Sequence, residues 1–213
     1  MGRPRVLLAD DHTLVLEAFG KLLEPEFEIV ATVSNGRALL SVAPDSKPDV
    51  IVLDIGMPEL SGMEAGLELK RMLPRTKLIV LTMSEDSEIA REALRQWASG
   101  YLLKKSAGSE LIKAIREALR GRSYVTPKIA KRLEEEFIRD PRPDRKRELT
   151  SRQREVLQLL AEGRTMKETA DELHVTPRTI AFHKYRIMEL FGLKTNSDLV
   201  KFAMKERVIS SIL

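Results

Sequence analysis

The sequence predicts an α/β domain built on a five-stranded parallel sheet, followed by a smaller all-α domain. Within the first 120 residues, short apolar runs alternate with amphipathic helical patterns five times, as expected of βαβ units. The run Val50–Leu53 is wholly aliphatic, which is typical of a strand buried on both faces of a parallel sheet. Residues 149–213 contain no strand pattern. A chain of 213 residues is long enough for two small domains.

The predicted elements of the first domain follow one another closely along the chain. The strand candidates are Arg5–Ala9, Glu28–Val33, Asp49–Leu53, Lys77–Leu81 and Gly100–Leu103. The helical patterns lie near residues 13–24, 36–43, 62–73, 86–97 and 107–120. Right-handed crossovers between parallel strands favour a flavodoxin-like sheet of order 2-1-3-4-5. Because the first and third strands are neighbours in that order, Asp10, Asp11 and Asp54 are expected to converge.

A charged, proline-containing segment is predicted to separate the two domains. A helical pattern lies near residues 127–138, with Ile129, Leu133 and Phe137 spaced four residues apart. Residues 139–147 follow with two prolines and no apolar side chain, a composition that neither continues a helix nor packs a core. We therefore predict a first domain over 1–121, a linker over 122–147 and a second domain over 148–213.

The second domain is predicted to consist of four helices. The first begins at Thr150 or Ser151 and ends at Gly163, and a short helix follows over Met166–Leu173. Thr176 and Pro177 then provide an N-cap and a first helical residue, opening a helix that ends at Gly192. A last helix spans about residues 197–205. The tight turn between the second and third helices is typical of a helix-turn-helix.

Composition and charge narrow the classes of function. A hydrophobic content of 43% and a charged content of 32% describe a folded globular protein. The absence of cysteine excludes disulfides and thiolate metal sites. No apolar stretch approaches the ~20 residues of a membrane span, so we expect a cytoplasmic protein without a membrane partner. Residues 145–213 carry a net charge of +5, whereas residues 1–120 carry −2, which indicates a polyanionic partner for the second domain.

Acidic, hydroxyl and amino groups are predicted to meet at the carboxyl ends of the strands, where open parallel sheets bind ligands. Clustered carboxylates repel one another unless a cation lies among them, and all-oxygen ligands favour Mg²⁺. A carboxylate so placed can attack phosphorus, with Thr82 and Lys104 available to stabilise the phosphoryl oxygens. Taken singly, Asp10 and Asp11 are equally explained as a helix N-cap, and Lys104 as a surface lysine.

Five motifs make residues 4–120 resemble a response-regulator receiver domain. They are Asp10-Asp11-His12, Asp54-Ile55-Gly56-Met57-Pro58, Gly62, Leu81-Thr82, and Gly100-Tyr101-Leu102-Leu103-Lys104. The resemblance implies that Asp54 is the phosphoacceptor and that Asp11 is a direct Mg²⁺ ligand. It also implies that Asp10 binds the ion directly or through water, and that the Gly56 carbonyl completes the protein ligands.

The same resemblance implies a conformational switch beside the phosphoacceptor. Thr82 would bind the phosphoryl group, and Tyr101 would turn inward when it does so. Two positions depart from the pattern of the family. Trp97 stands where glycine is usual, either as a core residue or as part of a dimer face. Lys105 stands where related domains have proline after a cis bond, which leaves the geometry of its peptide bond open.

Residues 149–213 resemble a LuxR-type DNA-binding domain. The matching segments are Leu149-Thr150-Ser151-Arg152, Glu155-Val156-Leu157, Ala161-Glu162-Gly163, Thr176-Pro177-Arg178-Thr179-Ile180 and His183. Together with the receiver motifs, they identify the chain as a member of the NarL/FixJ family of regulators. The residues predicted to face DNA are Arg178, Thr179, Ala181, Phe182, Lys184, Tyr185 and Arg186. Phe182 has a second interpretation as a core residue, and His183 as a packing or phosphate-positioning residue.

Departures from the family concentrate in this domain, so the operator of relatives cannot be transferred. Ala181 replaces a frequent lysine, and Tyr185 is bulky. Gln153, Met166 and Thr169 replace the usual Glu, Asn and Ile.

The expected function is that of a DNA-binding transcription regulator switched by Mg²⁺-dependent phosphorylation of Asp54. A sensor histidine kinase would be its partner, and a homodimer would form on phosphorylation. A haloacid-dehalogenase-like phosphatase is disfavoured because its acid/base Asp would stand where Gly56 lies. We therefore expect a phosphoacceptor that takes part in its own phosphorylation and dephosphorylation, not an enzyme for outside substrates. The remaining alternative is a phosphorylation-independent or protein-interaction regulator with weak or no DNA binding.

Overall fold

A computed structural model describes residues 2–139, 149–206 and 208–209. The chain divides into two compact units, Met1–Arg139 and Asp140–Leu213. Among the described helices, none is long and apolar enough to cross a membrane.

The first unit is a six-stranded parallel sheet of order β2-β1-β3-β4-β5-β6. Its strands are β1 (Arg5–Ala9), β2 (Glu28–Val33), β3 (Val50–Leu53), β4 (Lys77–Thr82), β5 (Gly100–Leu103) and β6 (Tyr124–Val125). Its helices are α1 (Thr13–Leu23), α2 (Gly36–Ser46), α3 (Gly62–Met72), α4 (Ser87–Gln96), α5 (Ala107–Leu119) and α6 (Pro127–Arg139). The predicted α/β class and the order of the first five strands are confirmed, and β6 is an addition.

The central strands are buried on both faces, as their aliphatic sequences require. Every residue of β3 and β5 is buried. Helices α1 and α5 cover one face, where Leu23, Leu111 and Ile115 pack on alternate residues of the strands. Helices α2, α3 and α4 are the remaining crossovers and contact one another in sequence order. This arrangement leaves the carboxyl ends of the strands and their following loops accessible at one edge.

Strand β6 closes the edge of the sheet that β5 would otherwise expose. Tyr124 pairs with Gly100 in parallel register. The next residue, Thr126, accepts a hydrogen bond from the N–H of Leu103 at 3.2 Å and donates one to Glu110 at 2.7 Å. Because an unpaired strand edge is a template for association, this two-residue strand protects the backbone of β5.

Helix α6 packs on the first unit, although the sequence predicted a linker over 122–147. It contacts α4, and Ile129 is fully buried. Leu133 is half-buried, whereas Phe137 is 62% exposed, so the apolar stripe is covered only along its first half. The part of the predicted linker over 140–147 lies outside the described residues.

Trp97 is a core residue of the first unit. Its side chain is 4% exposed at the end of α4. A Cβ atom added to Gly66 of α3 would lie only 2.6 Å from the indole ring, so the helices approach closely because Gly66 has no side chain. The described residues contain no cis peptide bond, and the bond between Lys104 and Lys105 is therefore trans.

The second unit consists of four helices, as predicted. They are α7 (Ser151–Ala161), α8 (Met166–Glu172), α9 (Pro177–Phe191) and α10 (Asn196–Lys205). Val156, Ala170 and Ile180 join the first three helices in one small cluster, and Leu157, Ile187 and Leu199 lie in a second cluster.

A threonine caps each of these four helices. Thr150, Thr165, Thr176 and Thr195 each accept a hydrogen bond from the third residue of the helix that follows. Gln153 completes a capping box with Thr150, so glutamine performs the reciprocal role that glutamate has in such boxes.

We expect Gly66→Ala to lower the free energy of unfolding of the first unit by about 1–3 kcal/mol, since overpacking forces side chains from their preferred positions. Urea unfolding followed by tryptophan fluorescence measures this, because Trp97 is the sole tryptophan. Gly108→Ala in α5 is the control. No atom lies within 4 Å of its added Cβ, and we expect stabilisation of up to about 1 kcal/mol. An unchanged midpoint for Gly66→Ala would contradict the close packing.

Candidate functional site

The register of β1 and β3 places two buried carboxylates side by side. Ala9 pairs with Leu53, and the N–H of Asp54 donates to the Ala9 carbonyl at 2.9 Å. The next residues beyond this pair are therefore Asp10 and Asp54, which are only 3% and 5% exposed. Asp11 lies at the exposed rim of the same edge.

Lys104 bridges the two buried carboxylates from the end of β5. Its Nζ lies 2.6 Å from Asp10 Oδ2 and 2.9 Å from Asp54 Oδ2, and its side chain is 9% exposed. Burial disfavours the ammonium, but hydrogen bonds and charges from the two aspartates outweigh it and raise the pKa of Lys104. The lysine is thus a fixed cation within the site.

The carboxylate cluster offers several ligand atoms to a further cation. Ligand atoms of Asp10, Asp11, His12 and Asp54 lie within 4.8 Å of one another. Asp54 Oδ1 is buried and accepts no hydrogen bond within the described part of the chain. A buried carboxylate oxygen normally has a partner, and an oxygen-rich group of this kind suits a hard cation such as Mg²⁺. The predicted ligands therefore fit that ion.

His12 is a member of the site that the sequence predictions omitted. Its ring Nδ1 lies 2.8 Å from Asp11 Oδ1 and 3.1 Å from Asp10 Oδ1. Its backbone N–H donates to Asp10 Oδ1 at 3.0 Å. Its position after two aspartates was the available signal. His12 was omitted from the predicted ligands because imidazole is not a usual ligand of Mg²⁺.

The loop after β3 lies directly over the Asp54 carboxylate. A Cβ atom on Gly56 would lie 2.9 Å from Asp54 Oδ2, and one on Gly62 would lie 2.1 Å from the Asp54 carbonyl. Backbone therefore approaches Asp54 where side chains would collide. The Gly56 carbonyl remains a predicted ligand, and its residue lies beside the carboxylate.

Thr82 and Tyr101 are connected through the loop after β4. The Thr82 side chain is almost fully buried, and its Oγ1 accepts a hydrogen bond from the N–H of Ser84 at 3.1 Å. The Tyr101 hydroxyl donates to the Ser84 carbonyl at 3.0 Å. Burial and the charge of Asp86 raise the pKa of Tyr101, so the phenol stays protonated and can donate.

Tyr101 faces the interior in this structure, where its side chain is fully buried. This inward position is the one that the sequence analysis associates with a bound phosphoryl group. The backbone of β6 continues along this part of the edge, because Tyr101 pairs with Val125. The inward position of the ring therefore coincides with a covered strand edge.

The first turn of α9 requires one correction to the predicted DNA contacts. Thr179 does not face outward as predicted, because it is only 5% exposed. Its N–H donates to Thr176 Oγ1 at 3.2 Å, and the two hydroxyls lie 3.1 Å apart. As the third residue of the helix, Thr179 is turned towards the cap and is a structural residue.

The other predicted DNA contacts differ in how far they are exposed. Tyr185 is 61% exposed, whereas Arg178, Ala181, Phe182, Lys184 and Arg186 are half-buried. The Lys184 ammonium lies 5.6 Å from the centroid of the Tyr185 ring, a distance at which cation–π attraction acts. Arg178 Nη1 is buried and makes no hydrogen bond to any described residue.

His183 lies in the interior of the domain. It is fully buried and meets the Phe182 ring edge-to-face, with the ring centroids 5.3 Å apart. Packing is therefore the reading that the structure favours for His183. Arg186 forms an ion pair with Glu189 at 2.8 Å, which holds its guanidinium along the helix.

An acidic strand-end cluster with a bridging lysine, on a sheet of this order, defines the receiver class of signalling domains. Comparison with family models agrees: the response regulator receiver domain matches residues 6–116. The model of bacterial regulatory proteins of the luxR family matches residues 147–203. The chain belongs to the response regulators, and within them to the NarL/FixJ family, as the sequence motifs predicted.

Similar proteins align along almost the whole chain. The oxygen regulatory protein NreC of Staphylococcus carnosus is 34% identical, over 96% of this chain and 99% of the relative. RcsB of Salmonella enterica serovar Typhimurium, solved bound to a promoter with the phosphomimetic BeF₃⁻, is 28% identical with a TM-score of 0.64. That match covers 94% of this chain and 98% of the solved one. The response regulator ChrA of a haem-sensing two-component system is 28% identical with a TM-score of 0.52, covering 98% and 100%.

We expect Lys104→Met to lower the free energy of unfolding by about 3 kcal/mol, because two buried carboxylates lose their counter-ion. Added MgCl₂ should recover part of the loss by supplying another cation. Chemical denaturation with and without MgCl₂ measures both effects. Lys105→Met is the control, because its side chain is 67% exposed and its nearest acidic oxygen lies 3.9 Å away. Its expected cost is below about 0.5 kcal/mol, and equal losses in the two variants would contradict the bridging role of Lys104.

Proposed function

We propose that this chain is a DNA-binding transcription regulator of a two-component system, switched by Mg²⁺-dependent phosphorylation of Asp54. The observation that carries the proposal is the environment of Asp54. One oxygen of this buried carboxylate pairs with Lys104, and the other has no hydrogen-bond donor among the described residues. That second oxygen is available to a metal ion or to phosphorus.

The proposed metal ligands are Asp10, Asp11, Asp54 and the carbonyl of Gly56. Their support is the clustering of the three carboxylates and the approach of the Gly56 backbone to Asp54. When bound, Mg²⁺ neutralises charge on the phosphoryl oxygens and orients the group for in-line transfer.

Asp54, Lys104 and Thr82 have different roles in the proposed phosphoryl transfer. An Asp54 oxygen attacks phosphorus, while the bond from phosphorus to the histidine nitrogen of a sensor kinase breaks and its electron pair stays on nitrogen. The Lys104 ammonium and the Thr82 hydroxyl lie at neighbouring strand ends, where they would stabilise the phosphoryl oxygens. Transfer to water reverses the modification, with the oxygen of water taking the phosphoryl group from Asp54.

We infer a phosphoacceptor and not a catalyst for external substrates. A phosphatase with an aspartate nucleophile uses a second carboxylic acid two residues later, and here the residue is Gly56. The switch positions are assigned to Thr82 and Tyr101, whose side chains share the loop at Ser84. The partner that supplies phosphate would be a sensor histidine kinase.

Helix α9 is the proposed DNA-reading element. Its first turn carries Arg178, and Lys184, Tyr185 and Arg186 follow on later turns. Basic residues near a helix N-terminus contact phosphates and guanine edges. Solved structures of the relative RcsB include two dimers bound to DNA, which supports a homodimer that reads two half-sites. In this proposal the homodimer forms on phosphorylation. Such a protein would act in the cytoplasm.

A regulator that binds another protein through this domain is the second candidate. It is favoured by Ala181, which stands where relatives frequently have lysine, and by the burial of Thr179, which removes one contact predicted for α9. A gel shift with random-sequence DNA, with and without acetyl phosphate, separates the two candidates. Binding that strengthens with the phosphodonor supports the first, and no shift under either condition supports the second.

We expect Asp54→Ala to abolish labelling of the chain by radioactive acetyl phosphate in the presence of Mg²⁺, because the attacking oxygen is absent. Labelling of the wild type should also disappear with EDTA. Asp45→Ala is the control, since this exposed residue lies at the far end of α2 and should label normally. Undiminished labelling of Asp54→Ala would reassign the phosphoacceptor.

The double variant Arg178→Ala/Lys184→Ala should bind DNA about tenfold or more weakly than the wild type. The slope of log K against log salt concentration should also become shallower by about two. Fluorescence anisotropy over a salt series measures both quantities. Lys201→Ala/Lys205→Ala removes the same charge from exposed positions of α10 and serves as the control. Equal slopes for the two double variants would exclude α9 from the interface.

A further inference from the structure

Helix α6 has a charged stripe, formed by Lys128, Arg132 and Glu136. Lys128 and Arg132 contact the loop that follows β4. Lys128 Nζ lies 2.6 Å from Glu85 Oε2. Arg132 reaches the same carboxylate at 3.3 Å and also donates from Nη1 to the Glu85 backbone carbonyl at 2.7 Å. Lys105 approaches Glu85 Oε1 at 3.9 Å. Three cations therefore converge on one acidic residue, whose side chain is 25% exposed.

The same stripe continues onto α4. Glu136 follows Arg132 at helical spacing and contacts both Ser87 and Arg91. Beneath the stripe, Ile129 is fully buried. Helix α6 thus combines buried apolar contact along its first half with polar contacts that extend to Glu136.

The loop itself is held from two sides. On the inside, the Tyr101 hydroxyl donates to the carbonyl of Ser84. On the outside, the Arg132 guanidinium donates to the carbonyl of Glu85, the next residue. Thr82 is part of the same unit, because its Oγ1 accepts from the N–H of Ser84. A loop that moved away would break the inner and outer hydrogen bonds together.

We propose that α6 is a control element, and that Lys128 and Arg132 are positioning residues through which docking of α6 and phosphorylation of Asp54 favour each other. This inference rests on the proposed function, in which the inward Tyr101 accompanies the phosphorylated state. Here the inward tyrosine and the docked helix occur in one structure. The coupled state is therefore the one with α6 docked.

Helix α6 is also the last element of the first unit before the second unit begins. It ends at Arg139, and the second unit starts at Asp140. Whether α6 is docked therefore determines where the connection to the DNA-binding unit starts. The stripe connects α6 to the loop of Thr82, Ser84 and Glu85, which begins at a strand end next to the site of Asp54.

Coupling is reciprocal, so it can be measured from the phosphorylation site. If docking favours the phosphorylated state, then loss of docking weakens binding of a phosphoryl analogue by the same factor. Beryllium fluoride with Mg²⁺ is the probe, titrated calorimetrically into the full chain. We expect Arg132→Gln to weaken its binding about fivefold or more, and Arg132→Lys to restore part of the affinity because it retains a charged donor.

The matched control is Lys131→Gln, which removes the same charge from the adjacent residue of α6. Lys131 is 77% exposed and pairs only with Glu135, at 3.7 Å, among the described residues. It should leave the affinity for beryllium fluoride unchanged. Hydrogen exchange provides the second readout. Beryllium fluoride should slow the exchange of α6 amides in the wild type. The amides of α6 should exchange faster in Arg132→Gln than in the wild type.

The outcomes separate this inference from the function on which it rests. A wild-type chain that binds no beryllium fluoride would contradict the proposed function and the coupling together. Normal wild-type binding with equal affinity in Arg132→Gln would contradict the coupling alone. Unaltered exchange of α6 in Arg132→Gln would show that Arg132 does not hold the helix, and would overturn its assigned role.

Discussion

The lysine bridge between Asp10 and Asp54 is the interaction on which the arrangement of the first unit depends. Two carboxylates at the ends of adjacent buried strands repel each other, and that repulsion opposes the register of β1 and β3. Lys104, at the end of β5, supplies the opposite charge at 2.6 and 2.9 Å. The sheet can thus be largely aliphatic inside and strongly acidic at its edge. Lys104, a cation of the chain itself, thus compensates the two carboxylates that would bind a ligand.

Much of the first unit followed from the periodicity of its sequence. Aliphatic runs alternating with amphipathic patterns sufficed for the parallel sheet, and strand order then predicted which aspartates converge. Strand β6 was missed because two residues are too few to show an alternating pattern. The docking of α6 was missed for another reason. The partners of Lys128 and Arg132 are far away in sequence, and a charged helical face is equally consistent with exposure to water.

Side-chain direction was harder to predict than strand order. Thr179 belongs to a helix whose outer face was predicted to meet DNA, yet capping of the first turn draws it inward. Tyr101 lies in a buried strand, and its sequence context does not distinguish an inward ring from an outward one. Both directions are decided by hydrogen-bond partners, Thr176 and Ser84, that are identified only when the turns are built.

The two units achieve stability in different ways. The first buries short, mainly aliphatic strands between helices, whereas the second divides its apolar residues between two small clusters. Small domains bury proportionally less surface, and local hydrogen bonds matter more to them. A threonine at the start of each of its four helices is consistent with that need. Each such cap contributes about 1 kcal/mol.

The sixth strand determines where a fragment of the first unit can end without exposing the edge of the sheet. A fragment cut after residue 121, where the sequence alone would end the first domain, loses β6, Thr126 and α6. Its β5 edge would then present unpaired backbone groups beside Tyr101 and invite strand-to-strand association between copies. A fragment that ends at Arg139 retains its own edge protection. Self-association of the shorter fragment would therefore be an artefact of the cut, and not a property of the regulator.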